Sequence, residues 1–81
     1  MKRKPANPRA AGPIDRIIGA NIRRIRREQD VSQEKLGEDI GVTFQQVQKI
    51  ENATNRIAAS RLWAVSKALG EPVSKFFEGA V

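Results

Sequence analysis

The chain has 81 residues, which is the size of one small domain. It contains neither cysteine nor histidine, which excludes disulfide bonds, thiolate metal sites and catalysis by either side chain. We therefore expect no enzymatic activity, no metal ion and no cofactor. A net charge of +6 favours a polyanionic partner instead.

Membrane association is the competing interpretation of the positive charge. The sequence has no apolar run of about 18 residues, the length that a membrane-spanning helix needs. The basic N-terminus also lacks the apolar segment of a secretory signal. A basic amphipathic helix on a membrane surface stays an alternative, although its isoleucines are equally needed by a small core. We expect a cytoplasmic, nucleoid-associated protein without a membrane partner.

Residues 1–12 form a basic N-terminal segment without an acidic residue. Prolines and a glycine interrupt any helix here, so the segment is predicted to be a flexible arm. The functional interpretation is an arm that follows phosphates or enters a minor groove of DNA. The alternative is a solvated tail. Its cations are Lys2, Arg3, Lys4 and Arg9.

A helix is predicted over residues 13–28, with Pro13 in its first turn. Ile18, Ile22 and Ile25 repeat at the spacing of one buried helix face, and Ile14 extends that stripe. The other faces carry Arg16, Arg23, Arg24 and Arg27.

Two short helices with a tight turn between them are predicted from Ser32 to Asn52. Ser32 is a suitable N-cap for the first of them, and Gly41 is the usual residue at a left-handed helix end. Thr43 and Gln46 then have the spacing of a capping box, which predicts the start of the second helix.

The second of these helices is predicted to bury Val47 and to leave a polar face exposed. A glutamine amide such as that of Gln45 can bond to an adenine edge, and Lys49 can reach a guanine or a phosphate. Phe44 offers an apolar contact to a thymine methyl group. The alternative is an amphipathic helix whose polar face is only solvated.

A loop and two further helices are predicted after this pair. Asn55 and Arg56 in the loop either clamp a sugar–phosphate backbone or belong to an ordinary polar turn. The next helix is predicted to begin at Ser60 as its N-cap and to end at Gly70, with Trp63 sealing the edge of the core. A last short helix carries the two C-terminal phenylalanines. The expected architecture is all-α with five helices.

Residues from about Gly19 to Phe77 resemble the Cro and phage-repressor type of helix-turn-helix protein. The resemblance is carried by GANIRRIRREQDVSQEKLGEDIGVTFQQVQKIEN, TNRI, LWAVSKALG and PVSKFF. It implies a five-helix, lambda-repressor-like fold in which helices 2 and 3 form the helix-turn-helix. It also implies a regulator of transcription, more often a repressor, that binds a pseudo-palindromic operator in double-stranded DNA as a homodimer.

The resemblance assigns roles to individual residues. Those expected to read bases are Thr43, Phe44, Gln45 and Lys49. Those expected to contact the DNA backbone are Ser32, Gln33, Gln46, Gln48, Asn52, Asn55 and Arg56. Arg26 and Glu51 correspond to an internal salt bridge between the first and third helices.

Two residues depart from the family pattern. Gly37 replaces the usual alanine, and Ala53 replaces the usual glycine after the third helix. If Ala53 keeps the left-handed turn, its Cβ costs about 1–2 kcal/mol. The alternatives are that Asn52 adopts the left-handed conformation instead or that the turn has a different geometry.

The predicted organisation is an arm over 1–12, a DNA-binding domain over 13–78 and a tail over 79–81. Two other functions remain open for the same fold. One is an antitoxin subunit that binds operator DNA and a toxin partner. The other is an adaptor that joins a regulator to the transcription machinery.

Overall fold

The computed structural model describes residues 11–80, and they form four α-helices followed by a short 3-10 helix. The helices are α1 (Pro13–Glu28), α2 (Gln33–Ile40), α3 (Phe44–Glu51) and α4 (Ala59–Leu69), and the 3-10 helix is Val73–Phe77. None of these helices is long and apolar enough to cross a membrane. Residues 1–10 of the predicted arm and residue 81 of the predicted tail lie outside the described range.

The all-α prediction is confirmed, but the expected number of five α-helices is wrong. The last segment is a 3-10 helix of five residues that follows Pro72. Short 3-10 turns of this kind tighten helix termini and connections, and they seldom extend further. This segment still contributes to the core, because Phe76 is fully buried while Phe77 remains 38% exposed.

One core joins the helices. Its α1 contribution is the predicted isoleucine stripe, except that Ile14 in the first turn lies outside the core and is 41% exposed. The buried apolar residues are Ile18, Ile22, Ile25, Leu36, Ile40, Val47, Leu62, Val65, Leu69 and Phe76.

Helix α4 differs from its prediction in two respects. It begins at Ala59 with Ala58 as N-cap, so the expected cap at Ser60 is wrong. The predicted role of Trp63 in sealing the core is also wrong, because its side chain is 58% exposed. Trp63 follows the buried Leu62 and is therefore about 100° further around the helix, which turns it outward. The amine of Lys67 lies 5.3 Å from the centre of its ring.

Two side-chain amides, one in α1 and one at its C-cap, bind the C-terminal half of the domain. Asn21 Nδ2 donates to the carbonyls of Phe76 and Glu78, each at 2.9 Å. Gln29 Nε2 donates to the carbonyl of Leu69 at 2.7 Å. These bonds satisfy carbonyls at the ends of α4 and of the 3-10 helix, which no intrahelical donor reaches.

The turn after α3 keeps its left-handed residue even though that residue is not glycine. Ala53 has a φ of 54°, whereas Asn52 has a φ of −86°. The N–H of Thr54 donates to Lys49 O at 2.8 Å, and the N–H of Ala53 donates to Ile50 O at 3.1 Å. Together these bonds form a Schellman motif, in which the position of Ala53 normally belongs to glycine.

Replacing Ala53 with glycine is therefore expected to stabilise the protein. Removing the strained Cβ gains about 1–2 kcal/mol, and the greater backbone entropy of glycine returns about half of it. We expect the free energy of unfolding to rise by about 0.5–1 kcal/mol in a denaturant titration. Gly41→Ala is the matched control with the opposite sign, because Gly41 has a φ of 77°. A lower unfolding midpoint for Ala53→Gly would contradict this account of the turn.

Candidate nucleic-acid interface

The turn between α2 and α3 depends on local contacts. Ser32 Oγ accepts the backbone N–H of Lys35 at 3.0 Å, which caps α2 at its start. Gly41 ends α2 in the left-handed conformation. A Cβ at Gly37 would lie 2.7 Å from Val42 O, closer than real Cβ atoms approach an oxygen. The glycine that departs from the family pattern therefore lets this turn lie directly against α2.

Helix α3 begins with the predicted capping box. The N–H of Gln46 donates to Thr43 Oγ1 at 3.2 Å, and the N–H of Thr43 donates to Gln46 Oε1 at 3.0 Å. The reciprocal bonds occupy the amide oxygen of Gln46 and leave its amide nitrogen for a partner. Val47 is 1% exposed and anchors the opposite side of α3 in the core.

The structure brings the four expected base-reading residues to one exposed surface. Thr43, Phe44, Gln45 and Lys49 are all exposed, and Phe44 retains 39% of its accessible surface. Within residues 11–80, the side chains of Gln45 and Lys49 form no hydrogen bond or salt bridge. Gln48 lies beside them and is also exposed. The first two turns of α3 therefore present free donors and acceptors to solvent.

A buried ion pair holds α3 from behind. Arg26 Nε donates to Glu51 Oε2 at 2.6 Å, and Arg26 Nη2 donates to Glu51 Oε1 at 3.0 Å. Arg26 Nη1 donates to Val31 O at 2.8 Å, and Gln33 Nε2 donates to Glu51 Oε1 at 3.1 Å. The network therefore joins α1, the start of α2 and the end of α3. Gln33 Nε2 donates one of its two N–H groups to Glu51, so its second N–H is the donor that remains for a further partner.

The loop after α3 is tied to the start of α1. Arg56 Nε lies 3.4 Å from Asp15 Oδ2, and the same oxygen accepts the N–H of Gly12 at 2.8 Å. Asn52 and Asn55 are exposed in the same region. The candidate backbone-contact residues therefore lie on both sides of α3, at the start of α2 and in this loop.

Arg61 supports the end of α2, a role that the sequence did not suggest. Its Nη1 donates to Ile40 O at 2.5 Å and so satisfies a carbonyl at the end of α2. An open cleft of about 230 Å³ lies beside it, lined in part by Lys49, Asn55 and Arg56. The sequence around Arg61 contains no pattern that predicts its bond to α2, because the partner lies 21 residues away.

The acidic residues of α2 form a solvated surface. Glu34, Glu38 and Asp39 are all exposed. Asp39 Oδ1 lies 3.0 Å from Lys35 Nζ, and the hydrogen bond and charge of Asp39 raise the pKa of Lys35 above its ordinary value.

A short capped helix, a glycine turn and a second helix with an exposed polar face define a helix-turn-helix domain. The chain belongs to the helix-turn-helix family HTH_3, whose model matches residues 22–76. This confirms the resemblance on which the residue assignments were based.

Curated relatives come from several bacteria. An uncharacterized HTH-type transcriptional regulator of Sinorhizobium medicae (strain WSM419) is 53% identical over 74 residues, which is 91% of this chain and 53% of that protein. A transcriptional regulator in the ATPase CF(0) region of Rhodospirillum rubrum is 45% identical over 64 residues, or 79% of this chain and 59% of that protein. The chain thus spans about half the length of the curated relatives it matches.

Solved structures share the fold. The clp gene regulator ClgR from Corynebacterium glutamicum superposes with a TM-score of 0.77 at 23% identity, covering 80% of this chain and 84% of that one. The P22 c2 repressor, solved in complex with a synthetic operator, gives a TM-score of 0.70 at 27% identity. That match covers 76% of this chain and 94% of the repressor chain. The lambda-repressor-like fold class is therefore confirmed.

Proposed function

We propose that this chain binds double-stranded DNA in a sequence-specific manner and is the DNA-binding part of a cytoplasmic transcriptional regulator. The observation that carries the proposal is the exposed face of α3, where Gln45 and Lys49 have no partner among residues 11–80 while Val47 is buried. Membership of the helix-turn-helix family supports it, as does the P22 c2 repressor, whose structure contains an operator.

Affinity and specificity come from different residues in this proposal. Thr43, Phe44, Gln45 and Lys49 enter the major groove and contact base edges. Phosphates are bound on either side of α3, and counterion release makes this part of the affinity depend on salt. The phosphate contacts are made by Ser32, Gln33, Gln46, Gln48, Asn52, Asn55 and Arg56.

Two copies acting as a repressor on a pseudo-palindromic operator complete the proposal. A domain of this size makes few base contacts, so a second copy about one helical turn away supplies the rest. The 3-10 helix offers a candidate surface between copies. Val73 and Phe77 are 36% and 38% exposed, whereas Phe76 is buried and belongs to the core.

Selection of bound duplexes from a randomised pool tests the proposal directly. We expect one enriched motif with two-fold symmetry, and the spacing of its half-sites reports the geometry of the dimer. Equal retention of every duplex would contradict sequence-specific binding. Weak DNA binding at about 150 mM salt would support an adaptor instead. A toxin that co-purifies with the operator-binding chain would indicate an antitoxin.

Arg56→Ala is expected to weaken binding to all DNA sequences to a similar degree. The loop position of Arg56 favours a phosphate contact. The plot of log K against log salt should therefore become less steep, by about one unit of slope. Lys67→Ala is the control. It removes the same positive charge at another place, because Lys67 lies over Trp63 on α4. A loss confined to one DNA sequence would contradict the phosphate assignment.

A further inference from the structure

Three arginines share one exposed face of α1. Arg16, Arg23 and Arg27 are spaced by seven and four residues, so they lie on one side of the helix, with the small Ala20 between them. We call these three residues the arginine stripe. All three are exposed, and no carboxylate within residues 11–80 comes within 4.0 Å of their guanidinium groups. The neighbouring Arg24, by contrast, pairs with carboxylates in α1 and in the C-terminal segment.

The arginine stripe lies beside the end of α3. A Cβ at Gly19 would come within 2.5 Å of Ile50 O, so the two helices are in direct backbone contact here. Arg23 and Arg27 line an open concave surface together with Ala20, Glu51 and the ion-paired Arg24 and Glu28. The charge of Glu51 is already compensated, because its carboxylate is bonded to Arg26 and is buried. The concave surface is therefore net positive.

Helix α1 also connects the two regions to which contacts with the DNA backbone are assigned. Its start contacts the loop after α3 through Asp15 and Arg56. Near its end, Arg26 contacts Glu51, which in turn bonds Gln33 at the start of α2. Helix α1, which carries the stripe, is therefore held against both regions to which DNA-backbone contacts are assigned.

We propose that the arginine stripe binds phosphates of DNA that flank the sequence read by α3. This inference rests on the proposed function, because α3 in the groove sets where the stripe lies. Guanidinium groups match phosphate oxygens in bidentate geometry, and three like charges on one helix face are stabilised by a polyanion. The stripe thereby extends the footprint beyond the base-reading residues without reading sequence.

The test uses the full chain with Arg16→Gln, Arg23→Gln and Arg27→Gln combined. Affinity is measured on two duplexes with the same selected motif, one trimmed to the motif and one extended by about 10 base pairs on each side. On the long duplex we expect the variant to make the plot of log K against log salt less steep, by roughly 2–3 units of slope. On the trimmed duplex the two proteins should bind alike, and the ranking of motifs should not change.

A matched variant removes three cations outside the stripe, with Arg24→Gln, Lys67→Gln and Lys75→Gln combined. It should retain the dependence on duplex length. A stripe variant with the original salt slope and length dependence would overturn the inference, even if α3 variants lose specificity. If the original chain discriminates no motif, the proposed function fails, and the same slopes on random long duplexes still decide whether the stripe binds phosphates. Arg23→Gln alone repeats the measurement with a smaller change of surface charge.

Discussion

Arg26→Ala is expected to lower the free energy of unfolding by about 3–5 kcal/mol. The substitution removes the bidentate partner of Glu51, whose side chain is 1% exposed, and leaves that carboxylate buried with Gln33 as its remaining donor. It also removes the donor to Val31 O in the connection between α1 and α2. A chain of this length has a total stability of roughly 4–12 kcal/mol, so the loss is a large part of it. Chemical denaturation of the purified chain measures the effect.

Arg24→Ala is the matched control on the same helix. Its ion pairs with Glu28 and Glu78 are solvent-accessible, since 42% of the Arg24 side chain is exposed. Exposed pairs contribute between zero and about 1 kcal/mol, so this variant should unfold close to the original midpoint. Equal stability of the Arg26 and Arg24 variants would show that the buried pair does not hold α1 against α3. Arg26→Met combined with Glu51→Leu should recover much of the loss, because no unpaired charge remains buried.

Gln45→Ala is expected to abolish most of the preference for the base that Gln45 contacts. A bidentate contact to a base edge discriminates by about 1–3 kcal/mol, which is roughly 5- to 150-fold in the ratio of affinities. Binding to unrelated duplexes should hardly change, because that part of the affinity comes from phosphate contacts. The measurement is competition between the selected motif and single-base variants of it. An unchanged preference at every position would contradict direct reading by Gln45.

Gln48→Ala is the control for this substitution. Gln48 lies on the same helix and is also exposed, but it is assigned to the DNA backbone. Its removal should weaken the selected motif and its variants by the same factor. A change of preferred base in the Gln48 variant would show that Gln48, further along α3, also contacts a base. Both variants should keep the original stability, since neither side chain has a protein partner within residues 11–80.

The sequence was most informative where an interaction spans a few residues of the chain. The caps at Ser32 and Thr43, the glycine stop at Gly41 and the buried face of α1 were all predicted, because their partners lie within one or two turns. The same local logic placed Gln45 and Lys49 on an exposed face. It left open whether they contact DNA or are only solvated, so their role in binding came from the family resemblance and remains a proposal.

Contacts between distant segments were decided only by the tertiary structure. Asn21 bonds to a carbonyl 55 residues away, Gln29 to one 40 residues away and Arg61 to one 21 residues away. No periodic pattern predicts such bonds, since each depends on where two helices meet. The exposure of Trp63 was missed because hydrophobicity alone does not show which of two adjacent helix positions points inward.

By itself, the sequence determined the four α-helices, the caps of α2 and α3 and the family, because each follows from short-range spacing and residue type. Tertiary packing decided that Ala53 keeps a left-handed turn, that the last segment is a 3-10 helix and that the arginine stripe lies against the end of α3. The last two of these features depend on contacts between distant segments, such as Asn21 with Phe76 O and Gly19 with Ile50 O, whereas the turn at Ala53 shows a strained backbone that the residue type does not predict. Their geometry is therefore set only when the core forms.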